Sequence, residues 1–135
     1  QMCIRDRERY IERKRRIAKV YSEELSGIPG LTLHPEMSWA KCVYWLYSIV
    51  IDDKLHGLSR DKLMEELEKQ GIETRRFFYP LHIMPAFKMY ANDNDDYPIS
   101  IYLSEHGMNL PSGPKISDEE VIYVAKTLRD LYKGN

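Results

Sequence analysis

The chain has 135 residues, enough for one domain with its own core. Its 20 Lys+Arg against 21 Asp+Glu leave a formal net charge of −1, which gives no argument for nucleic acid or an acidic partner at the level of the whole domain. Cys3 and Cys42 lack CxxC spacing, so neither a disulfide framework nor a zinc site is expected, and a reducing cytoplasm is the default reading. The charged first residues show no secretory h-region. The longest apolar run, Cys42 to Ile51, falls well short of the ~20 residues of a membrane helix, so no membrane partner is expected.

In chain order, Arg5 to Ser26 reads as an amphipathic helix, with Tyr10, Ile17, Tyr21 and Leu25 recurring near the helical period. The basic run Glu12 to Arg16 is read as a solvated face, because Glu8, Glu12, Glu23 and Glu24 dilute it. Gly27 ends this helix and Ile28-Pro29-Gly30 is a turn. Cys42 to Asp52 is the strongest strand signal; both of its alternating faces are largely apolar, as in a central strand. Asp52 to Gly57 reads as a polar loop. Ser59 is the N-cap of a helix whose apolar face is Leu63, Met64 and Leu67 and whose C′ glycine is Gly71.

Ile72 to Tyr79 reads as a second strand, one of whose faces should cover the helices, and Pro80 and Pro85 break it into a loop or short helical turn. Asn92 to Asp96 is an acidic turn without the spaced glycine and distal Glu of a calcium loop. Pro98 to Glu105 reads as a helix with Pro in its first turn, ended by Gly107. Met108 to Leu110 is a short strand. Ser117 to Glu120 forms a capping box, after which Val121, Val124, Leu128 and Leu131 make a buried stripe closed by Gly134. The order helix, strand, helix, strand, helix, strand, helix predicts an α+β fold: a small, mostly antiparallel sheet with helices on one face. No glycine-rich phosphate loop, GxSxG or HExxH occurs.

The densest chemistry lies between Arg75 and His82, where two Arg, three aromatics and one His fall within eight positions. Four pieces in order, RRIAKVYSEELSGIPGL (Arg15 to Leu31), VYWLYSIVID (Val43 to Asp52), GIETRRFFYPLHIMPAF (Gly71 to Phe87) and GMNLPSGPKISDEE (Gly107 to Glu120), resemble the C-terminal part of the DegT/DnrJ/EryC1/StrS family, and most of all its perosamine-synthase-like members. The resemblance implies the small C-terminal domain of an aspartate-aminotransferase-type (fold type I) enzyme over residues 9–135. Residues 1–8, including QMCIRDR, do not fit and are expected to be a non-native or disordered leader.

What the resemblance implies for the parent protein is a dimeric aminotransferase using pyridoxal phosphate. It would move an amino group from glutamate to a nucleotide-linked 4-keto-6-deoxy sugar. The Schiff-base Lys and the cofactor-binding residues would lie in a preceding domain, so no catalytic or cofactor residue maps here, and the chain alone is expected to be inactive. Such an orphaned domain should expose an apolar surface. Within it Arg75 offers a guanidinium fork for a carboxylate or diphosphate, His82 a loop imidazole for a sugar hydroxyl, and Tyr79 a ring for substrate contact. Arg76 stands where relatives commonly have Pro and inherits no role. Trp45, Phe77 and Phe78 are assigned to core or domain interface. The rival reading is a stand-alone α+β module holding an anionic ligand or protein partner at the Arg75-to-His82 edge.

Overall fold

A computed structural model describes residues 2–91 and 96–132. The acidic turn at Asn92 to Asp96 falls, but for Asp96, outside the described residues, as does Gly134. The first helix, α1 (Met2–Leu25), begins ahead of the expected Arg5 and takes in residues of the expected leader. Ile17, Tyr21 and Leu25 are buried as the periodicity requires, but Tyr10 is exposed and carries the Arg9 guanidinium 5.5 Å from its ring centroid. The physical reason is length: 24 helical residues run about 36 Å, twice the reach of a five-residue strand.

The last helix, α5 (Asp118–Asp130), packs along α1. Its capping box forms as expected, with the Glu120 N–H donating to Ser117 Oγ at 3.1 Å and the Ser117 N–H to Glu120 Oε2 at 2.7 Å. Val121, Val124 and Leu128 are buried. Two arginines of α1 grip the first residue of α5: Arg16 Nε donates to Asp118 Oδ2 at 2.7 Å and Arg13 Nη1 to Oδ1 at 2.5 Å. The Arg16 hydrogen bond, then that of Arg13, hold the Asp118 carboxyl at about 2, below its ordinary 3.8. A negative charge in the first turn also suits the helix dipole. At the other end Arg129 donates to the carbonyls of Glu24 and Ser26.

Four strands form one antiparallel sheet: β1 (Leu31–Thr32), β2 (Tyr47–Ile51), β3 (Arg75–Arg76) and β4 (Gly107–Leu110), in the order β1-β2-β4-β3. β2 is interior, as expected, but shorter than the run from Cys42 to Asp52. Its first half is diverted: Tyr44 takes a left-handed φ of 48°, and the Cys42 N–H goes to Glu36 Oε1 at 2.8 Å instead of a neighbouring strand. Arg15 clamps that loop through both Glu36 oxygens, at 2.5 and 3.0 Å, and the Cys42 carbonyl at 2.6 Å. Tyr47, Ile49, Ile51, Met108 and Leu110 share the buried face with Ile17, Tyr21, Leu63, Leu67, Val121 and Leu128.

Asp52 to Gly57 is not a polar loop. Asp52 caps a short helix, α2 (Asp53–His56), by accepting the N–H groups of Lys54 and Leu55. Gly30, at φ +73°, lets the preceding turn lie against this helix; a Cβ there would sit 2.5 Å from the His56 nitrogen. His56 is fully buried, edge-on to Tyr132 at 5.5 Å, and neither ring nitrogen has a hydrogen-bond partner among the described residues. Burial lowers its pKa.

Helix α3 (Arg60–Lys69) has the Ser59 cap that was read from the sequence. It ends in a Schellman turn: the Gly71 N–H donates to the Glu68 carbonyl at 2.9 Å and the Ile72 N–H to the Leu67 carbonyl at 3.0 Å, with Gly71 at φ +76°. Ile72 is thus a helix-stop residue, and the expected strand from Ile72 to Tyr79 contracts to Arg75–Arg76. Both arginines are exposed, so neither is buried under the helices, although Arg76 reaches Asp61 of α3. Helix α4 (Pro98–His106) runs straight into β4 and gives no buried residue to the core.

Candidate functional site

Arg75 is opposite Asn109 in the β3–β4 register. Asn109 is a buried polar residue in an otherwise apolar strand, and it links three strands: its Oδ1 accepts from Ser48 Oγ at 2.7 Å and its Nδ2 donates to the Arg76 carbonyl at 3.3 Å. The short strand that carries Arg75 is therefore held from its inner side. From below, Arg60 in α3 is nearly buried and donates to the carbonyls of Ser104 and Gly107 and to Asp61 Oδ1. Asp61 Oδ2 in turn lies 3.1 Å from Arg76 Nη2. The two neighbouring arginines are thereby separated in role: Arg76 is paired with Asp61 of α3, while the Arg75 side chain is 80% exposed and, among the described residues, pairs with Glu73 at 3.8 Å.

Arg75, Asn109, Lys14, Trp45, Ser112 and Tyr123 line an open groove of about 880 Å³ where the sheet meets the start of α5. Lys14 Nζ donates to the Trp45 carbonyl at 2.8 Å, and burial lowers the lysine's pKa. Tyr79 is exposed beyond the end of β3. His82 lies in a short 3-10 turn (Leu81–Ile83), half-buried, and stacks on Tyr97 with ring centroids 4.5 Å apart and planes at 19°. It lines a second hollow, of about 360 Å³, with Phe87, Tyr90, Tyr97 and Ser100. Arg75 and His82 thus line different cavities.

The sequence reading did not foresee that Asn109 and Ser48 would support this edge. A signal was present: Asn is disfavoured within strands and needs a reason to be there. Trp45 and Phe78, assigned to core or interface, are 71% and 57% exposed and stack on one another at 6.1 Å with planes 11° apart. Among the described residues no three His, Cys, Asp or Glu side chains come together as a metal ligand set, and no helix is long and apolar enough to cross a membrane.

A profile of the DegT/DnrJ/EryC1/StrS aminotransferase family matches residues 4–129. The chain belongs to this family. GDP-perosamine synthase of Vibrio cholerae is 36% identical over 125 residues, which are 93% of this chain and 33% of that protein. Among solved structures, DesI in the presence of its TDP-sugar product superposes with a TM-score of 0.81 at 26% identity, covering 93% of this chain and 32% of that one. The aminotransferase TlmJ from Streptoalloteichus hindustanus gives 0.80 at 25% identity, covering 95% and 33%. The small antiparallel α+β unit is therefore an aminotransferase fold element, and this DegT/DnrJ/EryC1/StrS chain spans about a third of the length of the relatives it matches.

Proposed function

We propose that this chain is the C-terminal part of a pyridoxal-phosphate-dependent sugar-nucleotide aminotransferase. The parent, as a cytoplasmic homodimer, would transfer an amino group from glutamate to the keto carbon of a nucleotide-linked 4-keto-6-deoxy sugar. The observation that carries this reading is the family match over residues 4–129 together with the perosamine-synthase relatives. The residues present do not themselves fit pyridoxal phosphate. Lys14, the lysine of the Arg75 groove, is directed at the Trp45 carbonyl, and the sequence has no glycine-rich phosphate loop. In this proposal the cofactor, which supplies the electron sink for the chemistry, is held by the part of the parent that precedes these residues.

What this chain contributes in the proposal is substrate positioning. Arg75 stands free of strong ion pairs at an edge fixed by Asn109 and Arg60, so its fork is available for a carboxylate or diphosphate. His82 is held in plane by Tyr97 and presents its imidazole to the neighbouring hollow. Tyr79 lies between them in sequence, with its ring open to a ligand. The exposed side chains from Phe78 to Tyr90 would be covered by the rest of the parent.

The test is to sequence the source DNA upstream of Gln1, express the full reading frame and assay it. With glutamate and a GDP-linked 4-keto-6-deoxy sugar, mass spectrometry should show an amino sugar and 2-oxoglutarate. Arg75→Ala and His82→Ala should each lower kcat/KM by at least tenfold while leaving the fold intact. A frame that starts at Met2 with its own promoter, or a full-length protein that forms no amino sugar, would refute the reading.

A further inference from the structure

Arg60, the first residue of α3, is 8% exposed. Taking a guanidinium out of water is costly, and an apolar side chain of similar volume commonly serves stability as well. Stability alone therefore does not explain an arginine at this position. Its Nη1 donates to the carbonyls of Ser104 and Gly107, the second at 3.4 Å, and its Nε to Asp61 Oδ1 at 2.7 Å. Ser104 lies in the last turn of α4, where carbonyls lack intrahelical partners and a positive charge suits the helix dipole. Helix α4 needs such a tie. None of its residues is buried, so no apolar stripe fixes its angle to the sheet. The other polar tie described at its C-terminal end is His106, whose Nδ1 donates to the Ile51 carbonyl at 3.0 Å.

What α4 and its neighbour carry gives that tie a consequence. Tyr97, the N-cap of α4, stacks on His82, and Tyr97 and Ser100 line the His82 hollow. The Gly107 carbonyl that Arg60 reaches also accepts the Phe77 N–H at 3.1 Å, and a Cβ on Gly107 would lie 2.9 Å from that of Phe77. The end of α4, the start of β4 and the end of β3 thus meet closely at the atoms Arg60 holds. Asp61 extends the hold to the residue beside Arg75, since its Oδ2 lies 3.1 Å from Arg76 Nη2. We propose that Arg60 is a positioning residue: one buried guanidinium fixes α4, and with it the His82 hollow, relative to the strand that carries Arg75. This inference rests on the reading above, in which Arg75 and His82 serve one active site, and adds the residue that sets the span between them.

The experiment has a structural and a kinetic arm. In the chain itself, Arg60→Met should abolish the NMR cross-peaks between the His82 and Tyr97 rings while keeping those between Tyr21 and Tyr47, whose centroids are 4.9 Å apart in the core. In the full-length enzyme, Arg60→Met should raise KM for the sugar nucleotide about tenfold with kcat within about twofold, because binding geometry is lost and the chemistry is not. Asp61 is exposed, so Asp61→Asn cuts the link to Arg76 without threatening the fold, and it should raise KM about threefold. In an Arg75→Ala background that Asp61→Asn effect should vanish, since Asp61 acts through the strand of Arg75. Retained His82–Tyr97 cross-peaks, an unchanged KM in a folded Arg60→Met enzyme, or an Asp61→Asn effect of the same size with and without Arg75 would each overturn the positioning role. If Arg60→Met does not fold, the Asp61→Asn cycle decides alone. The sugar-nucleotide reading fails separately: a wild-type enzyme that forms no amino sugar removes that reading, whereas an active wild-type enzyme whose KM neither variant moves removes only the role of Arg60.

Discussion

The helix-covered side of the sheet and the arm from Phe77 to Tyr90 are built from the same kinds of residue, yet their surroundings are opposite. On the first, Tyr21, Tyr47, Ile49, Met108, Val121 and Leu128 have no accessible surface. On the second, Phe78, Tyr79, Leu81, Ile83, Met89 and Tyr90 are all exposed. Side-chain polarity does not distinguish the two. The difference is that α1, α3 and α5 cover the sheet with Ile17, Tyr21, Leu63, Leu67, Val121 and Leu128, while the arm is held by two short 3-10 turns and prolines, with no layer over it among the described residues. One region is a finished core. The other is a run of large apolar side chains left exposed.

The sharpest way to break this comparison is at its centre. Leu128→Ala should cost about 2–5 kcal/mol in urea denaturation, since the cavity lies between two helices and the sheet. A loss below about 1 kcal/mol would mean that the helix layer is loosely packed and the contrast is false. Gly30→Ala should follow, at about 1–3 kcal/mol, because the new Cβ meets backbone atoms of α2 and the φ is positive. A melting temperature equal to wild type would show that α2 can move away from the turn. Ser117→Ala should cost about 1 kcal/mol by loss of the cap on α5.

Two titratable groups sharpen the comparison by pH. The folded pKa of Asp118 is held at about 2 against an ordinary 3.8, so its contribution to stability is present above pH 3.8 and is lost as pH falls towards 2. Asp118→Asn should remove that part of the acid dependence. His56 is also depressed, from its ordinary 6.5, because burial disfavours the charged form. The unfolded chain takes up its proton first, so stability should fall as pH drops below 6.5. His56→Leu, which removes two unpartnered buried nitrogens, should flatten that slope and leave stability at pH 7 unchanged or raised by about 1 kcal/mol. An unchanged slope in melts between pH 7 and 5 would show that His56 is not the group responsible. Smallest of all, Leu81→Ala on the arm should stay within about 0.5 kcal/mol; a larger cost would mean that the arm is packed after all.

The elements that the sequence announced most clearly are those with local causes. The Ser59 and Ser117 caps, the Gly71 helix stop and the Pro98 helix start depend on residues within a few positions of one another, and all are present. The failures have equally specific causes. The Asp52 cap was passed over because a four-residue helix is too short to show a period. β1 is two residues long and exists only because β2 pairs with it. The stretch before Tyr47 has strand composition, but Arg15, from a helix far away in sequence, pulls its backbone into a loop. At the site, Arg75, Tyr79 and His82 stood out by residue type and density, whereas Asn109 and Arg60, which hold the strand beneath Arg75, act through contacts across 33 to 47 positions.

The sequence by itself determined the family, the Ser59 and Ser117 caps, the Gly71 stop, the interior place of β2 and the concentration of chemistry between Arg75 and His82. Caps, periods and motifs are properties of neighbouring residues, and one chain displays them without folding. Only the tertiary structure decided that His56 is sealed from water, that Arg76 pairs with Asp61 while Arg75 is left available, that Arg75 and His82 line separate cavities, and that Trp45 and Phe78 stack on one another at the surface. Burial and pairing depend on which surfaces meet, and residues far apart in sequence meet only when the sheet and helices have brought them together.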